Sequence, residues 1–255
     1  MGVLKKIREK LSFLKWVDPF TYVDLFVMPR VKKITRNKLV EDLVNIFFAA
    51  FFAVALYVIL GIAFGTSSPL MIVYSGSMEN TLFRGDIVML GNANSKSVFA
   101  QEISLNKNIS GVPVSEYASV HYDLERKVID YIEFFDGQKI FPNKSGSIVV
   151  YNAYPINIPI IHRAVVKINA GDGVFILTKG DNDSTNPTID QDCGKIVLNR
   201  SEKPCITFYA VDVKNLQGID FFNIPKLGCV KLWVIDNPLS LLTTGKFPSD
   251  FRGYC

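Results

Sequence analysis

The candidate chemistry of this chain starts at Ser75-Gly76-Ser77-Met78, a turn-like stretch with two hydroxyls two residues apart. Acyl transfer from a peptide bond needs a nucleophile displayed on a turn. It also needs a base to take the proton and donors for the developing oxyanion. Gly76 relaxes the backbone just before Ser77, and a predicted strand beginning at Met71 leads into the turn. Ser77 is therefore the candidate nucleophile, and its own amide together with the Ser75 hydroxyl can face an oxyanion. An ordinary Ser-Gly-Ser turn is the bland alternative.

A base must come from elsewhere in the chain, which has two histidines. His121 lies between Val120 and Tyr122 with no evident acidic or nucleophilic neighbour. His162 lies in Ile160-Ile161-His162-Arg163-Ala164-Val165-Val166-Lys167-Ile168. A period of two puts it on the face of Ile160, Ala164, Val166 and Ile168, opposite Arg163 and Lys167. Most histidines on an apolar strand face are satisfied core residues. Burial also disfavours the imidazolium, however, and so keeps a neutral base available near pH 7.

Carboxylates follow in Thr178-Lys179-Gly180-Asp181-Asn182-Asp183 and Asn186-Pro187-Thr188-Ile189-Asp190-Gln191-Asp192. One of them can orient an imidazole by accepting from its ring N–H. The same composition also suits a solvated loop. A calcium loop of the EF-hand type is disfavoured, because the spacing and the closing Glu are missing. Neither a metal nor an organic cofactor is expected.

These residues need elements to position them. Ile46–Gly65 is a charge-free run of twenty residues. As a helix it is roughly 30 Å long, the thickness of a hydrocarbon core. Residues 1–44 carry ten Lys/Arg against five Asp/Glu, and the remaining 211 residues are nearly balanced. That asymmetry excludes a nucleic-acid-binding profile and, by the positive-inside rule, predicts a cytoplasmic N-terminus with residues 66–255 outside. About forty-five residues precede the run, too many for the short basic segment of a cleaved signal peptide, so an uncleaved anchor is expected. Val3, Leu4, Ile7, Leu11 and Leu14, interleaved with Lys and Arg, predict a basic amphipathic helix over residues 3–17.

Beyond the anchor the chain predicts short strands at Met71–Tyr74, Asp86–Leu90, Ser147–Tyr151, Ile158–Ile168, Val174–Thr178, Ile206–Val213 and Cys229–Ile235. Many short strands with turn signals between them indicate a mainly β domain. Residues 92–145 read as an insertion with loop-like ends. Inside it, Leu124, Val128, Tyr131, Ile132 and Phe135 fit one helix face, while Asp136-Gly137 equally fits a hairpin turn. Cys193, Cys205, Cys229 and Cys255 all fall on the predicted outer side, where disulfides are permitted. Four cysteines allow three connectivities, and Cys193–Cys205 is the pair nearest in sequence. Free or buried thiols are the alternative. Asn-x-Ser sequons occur at Asn108, Asn143, Asn182 and Asn199.

Taken together, these motifs resemble the type I signal peptidases, in particular the archaeal and endoplasmic-reticulum branch. Ser75-Gly76-Ser77-Met78-Glu79-Asn80-Thr81 resembles the Ser-Gly-Ser-Met-x-Pro-Thr box, and Arg84-Gly85-Asp86-Ile87-Val88 the strand after it. Gly146–Tyr151 resembles the strand before the base, and Ile161-His162-Arg163 the box in which bacterial relatives carry Lys. Thr178–Asn182 is similar to the Gly-Asp-Asn box, and Ile224-Pro225-Lys226-Leu227-Gly228 to the late Pro-x-x-Gly strand. The boxes keep family order across most of residues 46–235.

The resemblance implies Ser77 as nucleophile, His162 as general base, Ser75 at the oxyanion, and Asp181 and Asp190 as the family's two aspartates. Asp190 is the choice for the orienting carboxylate, with Asp183 and Asp192 as alternatives because about three extra residues intervene. The implied map is a cytoplasmic basic segment (1–44), a transmembrane anchor (45–65), an extracytoplasmic serine peptidase domain (66–235) and a tail without assigned role (236–255). The implied activity is cleavage of N-terminal signal peptides from exported precursors. The expected partners are those precursors, membrane lipid and subunits of the export machinery. Alternatives are a Ser–Lys hydrolase using Lys167 or Lys179, and an inactive binding subunit of an export complex. Asn80 departs from the family's Pro, which removes a fixed φ and is expected to loosen the turn without touching the reacting groups.

Overall fold

The computed structural model describes residues 18–35, 37–193, 205–247 and 255. The chain divides into two units, Met1–Ala63 and Phe64–Cys255. The expected helix over residues 3–17 and the sequon at Asn199 lie outside the described residues.

In the first unit, helical turns at Pro19–Tyr22, Val23–Val27 and Met28–Ile34 precede a long helix, α1 (Lys38–Phe64, 27 residues). Asn37 caps α1, its side-chain oxygen accepting from the Leu39 amide at 3.0 Å. Gly65 ends it with φ +65°, a left-handed conformation that costs glycine little. No residue of α1 is buried, and Phe47, Phe51, Leu56 and Ile62 are open along it. The helix is long and apolar enough to cross a membrane.

The second unit is mainly β, as expected. Its larger sheet has eight strands and contains β1 (Leu70–Ile72), β2 (Ile87–Gly91), β3 (Gln101–Ser104), β7 (Ile148–Ala153), β8 (Ile158–Ala170), β9 (Gly173–Lys179), β10 (Val211–Asp212) and β11 (Leu216–Ile224). The path runs β1-β2-β11-β7-β8-β9-β10, and β3 pairs in parallel with β8. β11, the last strand in sequence, therefore lies between β2 and β7. The smaller sheet is β4 (Ala118–Asp123), β5 (Val128–Phe134) and β6 (Lys139–Ile140), all inside the insertion.

Buried side chains group beneath these sheets. Val73, Met78, Leu82, Val88, Leu90, Ile148 and Val150 pack under the Ser75–Ser77 turn. Tyr151, Ala164 and Ile176 belong to a second cluster. A third joins Ile132 and Phe134 of the small sheet to Val166, Ile168, Leu177 and Ile189.

Several expectations need correction. Cys229–Ile235 is helical, as Cys229–Lys231 and Leu232–Asp236, and runs into α2 (Asn237–Thr244). Its apolar residues are consecutive rather than alternating. Only Leu232 is buried there, while Val230, Trp233, Val234 and Ile235 are exposed. Of Ile206–Val213 only Val211–Asp212 is strand, because the Ile206 and Thr207 amides bond to the Asp190 carbonyl instead. Within the insertion the hairpin prevails over the helix face, and Asp136-Gly137 turns β5 into β6. β11 escaped the sequence reading. The cysteines pair as Cys193–Cys205 and Cys229–Cys255.

Candidate active site

The Ser75–Ser77 turn is held by its own backbone and by one buried side chain. The amides of Glu79, Thr81 and Leu82 bond back to the carbonyls of Gly76, Met78 and Met78 at 3.1, 3.0 and 2.9 Å. Met78 is fully buried, so the turn is pinned from below and Ser77 is left at the surface of the fold. Asn80 has φ +76°. Proline is locked near −65° and does not reach that conformation, whereas Asn tolerates it. The departure from the family box is thus a different turn conformation rather than a looser one.

Ser77 and Ser75 face each other, with Oγ atoms 3.1 Å apart. Among the described residues the Ser77 amide donates to no protein group, and no hydrogen bond joins Ser77 to His162. Both serines and His162 line one open cleft of about 370 Å³, together with Leu70, Met71, Ile72, Tyr74, Pro159, Ile160, Ile161 and Lys231.

The imidazole is fixed from the buried side. His162 pairs with Val149 across β7–β8 and is 2% exposed. Its Nδ1 lies 2.7 Å from Asp190 Oδ2. The same carboxylate oxygen accepts from the Tyr151 hydroxyl at 2.8 Å. Asp190 is placed by its amide, which bonds to the Thr178 carbonyl at 2.8 Å just before the end of β9. Burial alone pushes the Asp190 carboxyl up, but the charge and hydrogen bond of His162, together with hydrogen bonding from Thr178 and Tyr151, hold the group below the ordinary carboxylate value. An ionised Asp190 makes Nδ1 the protonated nitrogen and leaves Nε2 free to accept.

The other carboxylates have other partners. Asp181 meets Arg163 in a two-pronged pair, Nε to Oδ1 at 2.8 Å and Nη2 to Oδ2 at 2.6 Å. It also accepts from Thr81 Oγ1 at 2.5 Å, four residues beyond Ser77. Burial raises its carboxyl, and the bonds from Arg163 and Thr81 reverse that, so it too lies below the ordinary value. Asp181 therefore joins the strand carrying the imidazole to the turn carrying the hydroxyl. Asp183 pairs with Lys179 at 2.6 Å. Asp192 accepts from Tyr122 and from Thr188. Lys167 pairs with Glu102 at 3.5 Å. Neither Lys167 nor Lys179 lines the cleft.

Residues that the sequence motifs include without assigning them a role complete the frame. The Asn182 amide donates to the Ser77 carbonyl at 2.9 Å, and its Nδ2 donates to the Gly76 carbonyl at 2.9 Å. A Cβ on Gly180 would stand 2.6 Å from the Ser77 carbonyl oxygen, so only glycine permits this approach. Arg84 donates to the carbonyls of Tyr74 and Cys255. A glycan on Asn182 would occupy the nitrogen that holds Gly76. The sequon shows the asparagine but not its engagement.

Comparison with known proteins bears on this geometry. Signal peptidase complex catalytic subunits SEC11 from Saccharomyces cerevisiae strains YJM789, RM11-1a and JAY291 are each 27% identical to this chain over 198 residues. The match covers 77% of this chain and 84% of the relative. The chain is a relative of the signal peptidase catalytic subunits. No family model matches it. The relationship agrees with the type I signal peptidase resemblance carried by the Ser-Gly-Ser-Met, His-Arg and Gly-Asp-Asn motifs.

Proposed function

We propose that the chain is a membrane-anchored signal peptidase that removes N-terminal signal peptides from exported precursors by serine acyl transfer. One observation carries the reading. A surface hydroxyl and an imidazole that is backed by the buried Asp190 line the same cleft in a relative of SEC11.

In this mechanism Ser77 Oγ attacks the scissile carbonyl carbon while His162 Nε2 takes its proton. Asp190 holds Nδ1–H and stabilises the imidazolium. The oxyanion receives hydrogen bonds from the Ser77 amide and from the Ser75 hydroxyl, which turns away from Ser77 Oγ to donate. The imidazolium then protonates the leaving amine. Water, deprotonated by the same imidazole, hydrolyses the ester on Ser77. Asp181 positions the turn rather than touching the reacting atoms.

The chain is read as a single-pass protein of the cell membrane. Residues 1–44 face the cytoplasm, residues 45–65 span the bilayer, and the peptidase domain, residues 66–235, lies outside. About a dozen residues separate Gly65 from Ser77 and reach at most roughly 40 Å when extended, which keeps the site near the lipid surface. SEC11 is named as a subunit of a complex, which supports export-machinery subunits as partners here.

The test is incubation of the purified full chain in detergent with a signal-peptide-bearing precursor, followed by N-terminal sequencing of the product. The expected result is one cut after small residues, lost by about 10⁶-fold in Ser77→Ala and abolished in His162→Ala. Turnover retained without His162 would overturn the assigned base. An uncut precursor, with Ser77 inert to an acylating reagent, would overturn the enzyme in favour of a binding subunit.

A further inference from the structure

Among the described residues, Lys231 is the one lysine or arginine lining the cleft, and no Asp or Glu lines it. It arrives from the helical segment that the sequence reading took for a strand. Its Nζ donates to the Tyr74 hydroxyl oxygen at 2.6 Å and lies 5.4 Å from the centre of the Tyr74 ring. Asp236, at 3.5 Å, is its carboxylate neighbour, and the Lys231 side chain is 46% exposed. The Tyr74 bond, then the Asp236 charge, hold the ammonium above the ordinary lysine value, so it stays charged at neutral pH.

The donor count gives this pair a direction. An ammonium has three N–H groups, and one bond to Tyr74 and one pairing with Asp236 leave a third. The Tyr74 oxygen accepts from Lys231, which leaves its own O–H available as a donor. Tyr74 directly precedes Ser75, and Arg84 holds the Tyr74 carbonyl. The remaining cleft walls are mostly apolar: Leu70, Met71, Ile72, Pro159, Ile160 and Ile161. In such surroundings a charge-assisted hydrogen bond is strengthened and a like charge is repelled.

We propose that Lys231 and Tyr74 form an anion-binding subsite of the cleft, which accepts an acidic side chain of the precursor near the scissile bond and rejects a basic one. The proposal rests on the peptidase reading given above. The carboxylate takes one N–H from Lys231 and the O–H from Tyr74. Lys231 is a specificity residue and transfers no proton to the reacting atoms.

The experiment uses the full chain in detergent and a fluorogenic peptide series carrying one small-residue cleavage site. Each position from three before to three after the scissile bond is occupied in turn by Glu, Gln or Lys. At one position Glu is expected to exceed Lys in kcat/KM by about tenfold. Lys231→Met should bring that ratio close to one, and Lys231→Glu should reverse it. Tyr74→Phe retains the ammonium and should reduce the ratio only in part. The wild-type ratio stands without any variant, and 0.5 M salt should compress it. A uniform response to Glu and Lys at every position overturns the subsite while leaving the peptidase intact. So does a preference that survives in Lys231→Met. Failure to cut any peptide, with Ser77→Ala indistinguishable from wild type, overturns the peptidase and the subsite with it.

Discussion

The two halves of the site are built differently. The base half is embedded in sheet: His162 sits within β8, paired to Val149 of β7, with Asp190 and Tyr151 closed beneath it. The hydroxyl half is a turn at the surface, held by buried Met78 and by a few bonds from the Asp181–Asn182 segment. The imidazole thus inherits its position from the register of the central strands. The hydroxyl depends on side chains and one close backbone approach, so single changes far from the chemistry should reach it more easily.

Among changes that keep both Ser77 and His162, the largest effect should come from the base half, by altering its proton rather than its place. Asp190→Asn keeps the shape but favours the wrong imidazole tautomer. It should lower kcat by about 10⁴-fold with little change in KM, read as initial rates on a fluorogenic peptide. An effect below tenfold would mean that the imidazole does not need its carboxylate.

Next comes Gly180→Ala. The added carbon pushes on the Ser77 carbonyl oxygen, and a displacement of about 1 Å is worth roughly 10²-fold in rate. Thermal unfolding measured alongside should move much less than activity. Equal losses in both would break the distinction between the halves.

Asp181→Asn should act mainly on stability, by about 3 kcal/mol, because it leaves Arg163 buried and unpaired. The sign with pH follows from the depressed carboxyl. The native value lies below the unfolded one, near 4. The carboxylate's contribution is therefore complete above about pH 5 and fades as pH falls through the native value. Urea unfolding of wild type and variant should differ by a constant amount from pH 7 to about 5, and the difference should shrink as pH falls below about 4 and through the native value.

The smallest effect belongs to the small sheet. Tyr131 stacks on His121 at 4.3 Å and contributes nothing to the cleft. Tyr131→Ala should cost about 1 kcal/mol of stability and alter kcat/KM by less than about twofold.

How much of this could be read from the residues varied with how local the cause is. Ser77, His162 and Asp190 could be named as candidates because each carries its chemistry in its own side chain and sits in an ordered motif. The partner of Asp181 could not, since the Arg163 pair and the Thr81 bond join segments distant in sequence. β8 was legible from its long run of β-branched and apolar residues, although a bulge between Ala164 and Val166 interrupts its period. β11 was not, because Gly218 and Asp220 are weak strand formers and a bulge between Asp220 and Phe222 breaks the period. The helical run from Cys229 was misread because its apolar residues are consecutive, and short apolar runs do not distinguish helix from strand. Lys231 was missed with it.

The position of β11 has a consequence for when this molecule can begin to work. Among the described residues, β1–β2, bearing the serine turn, and β7–β8–β9, bearing the imidazole, are neighbours in the sheet only through β11. A nascent chain that has emerged only as far as residue 215 holds every group that would react, yet lacks the strand that unites them. The ribosome must deliver Ile224 before the Ser77 hydroxyl and the His162 imidazole share a floor, so the proposed cutting activity would switch on late in synthesis, once residues 216–224 close the gap.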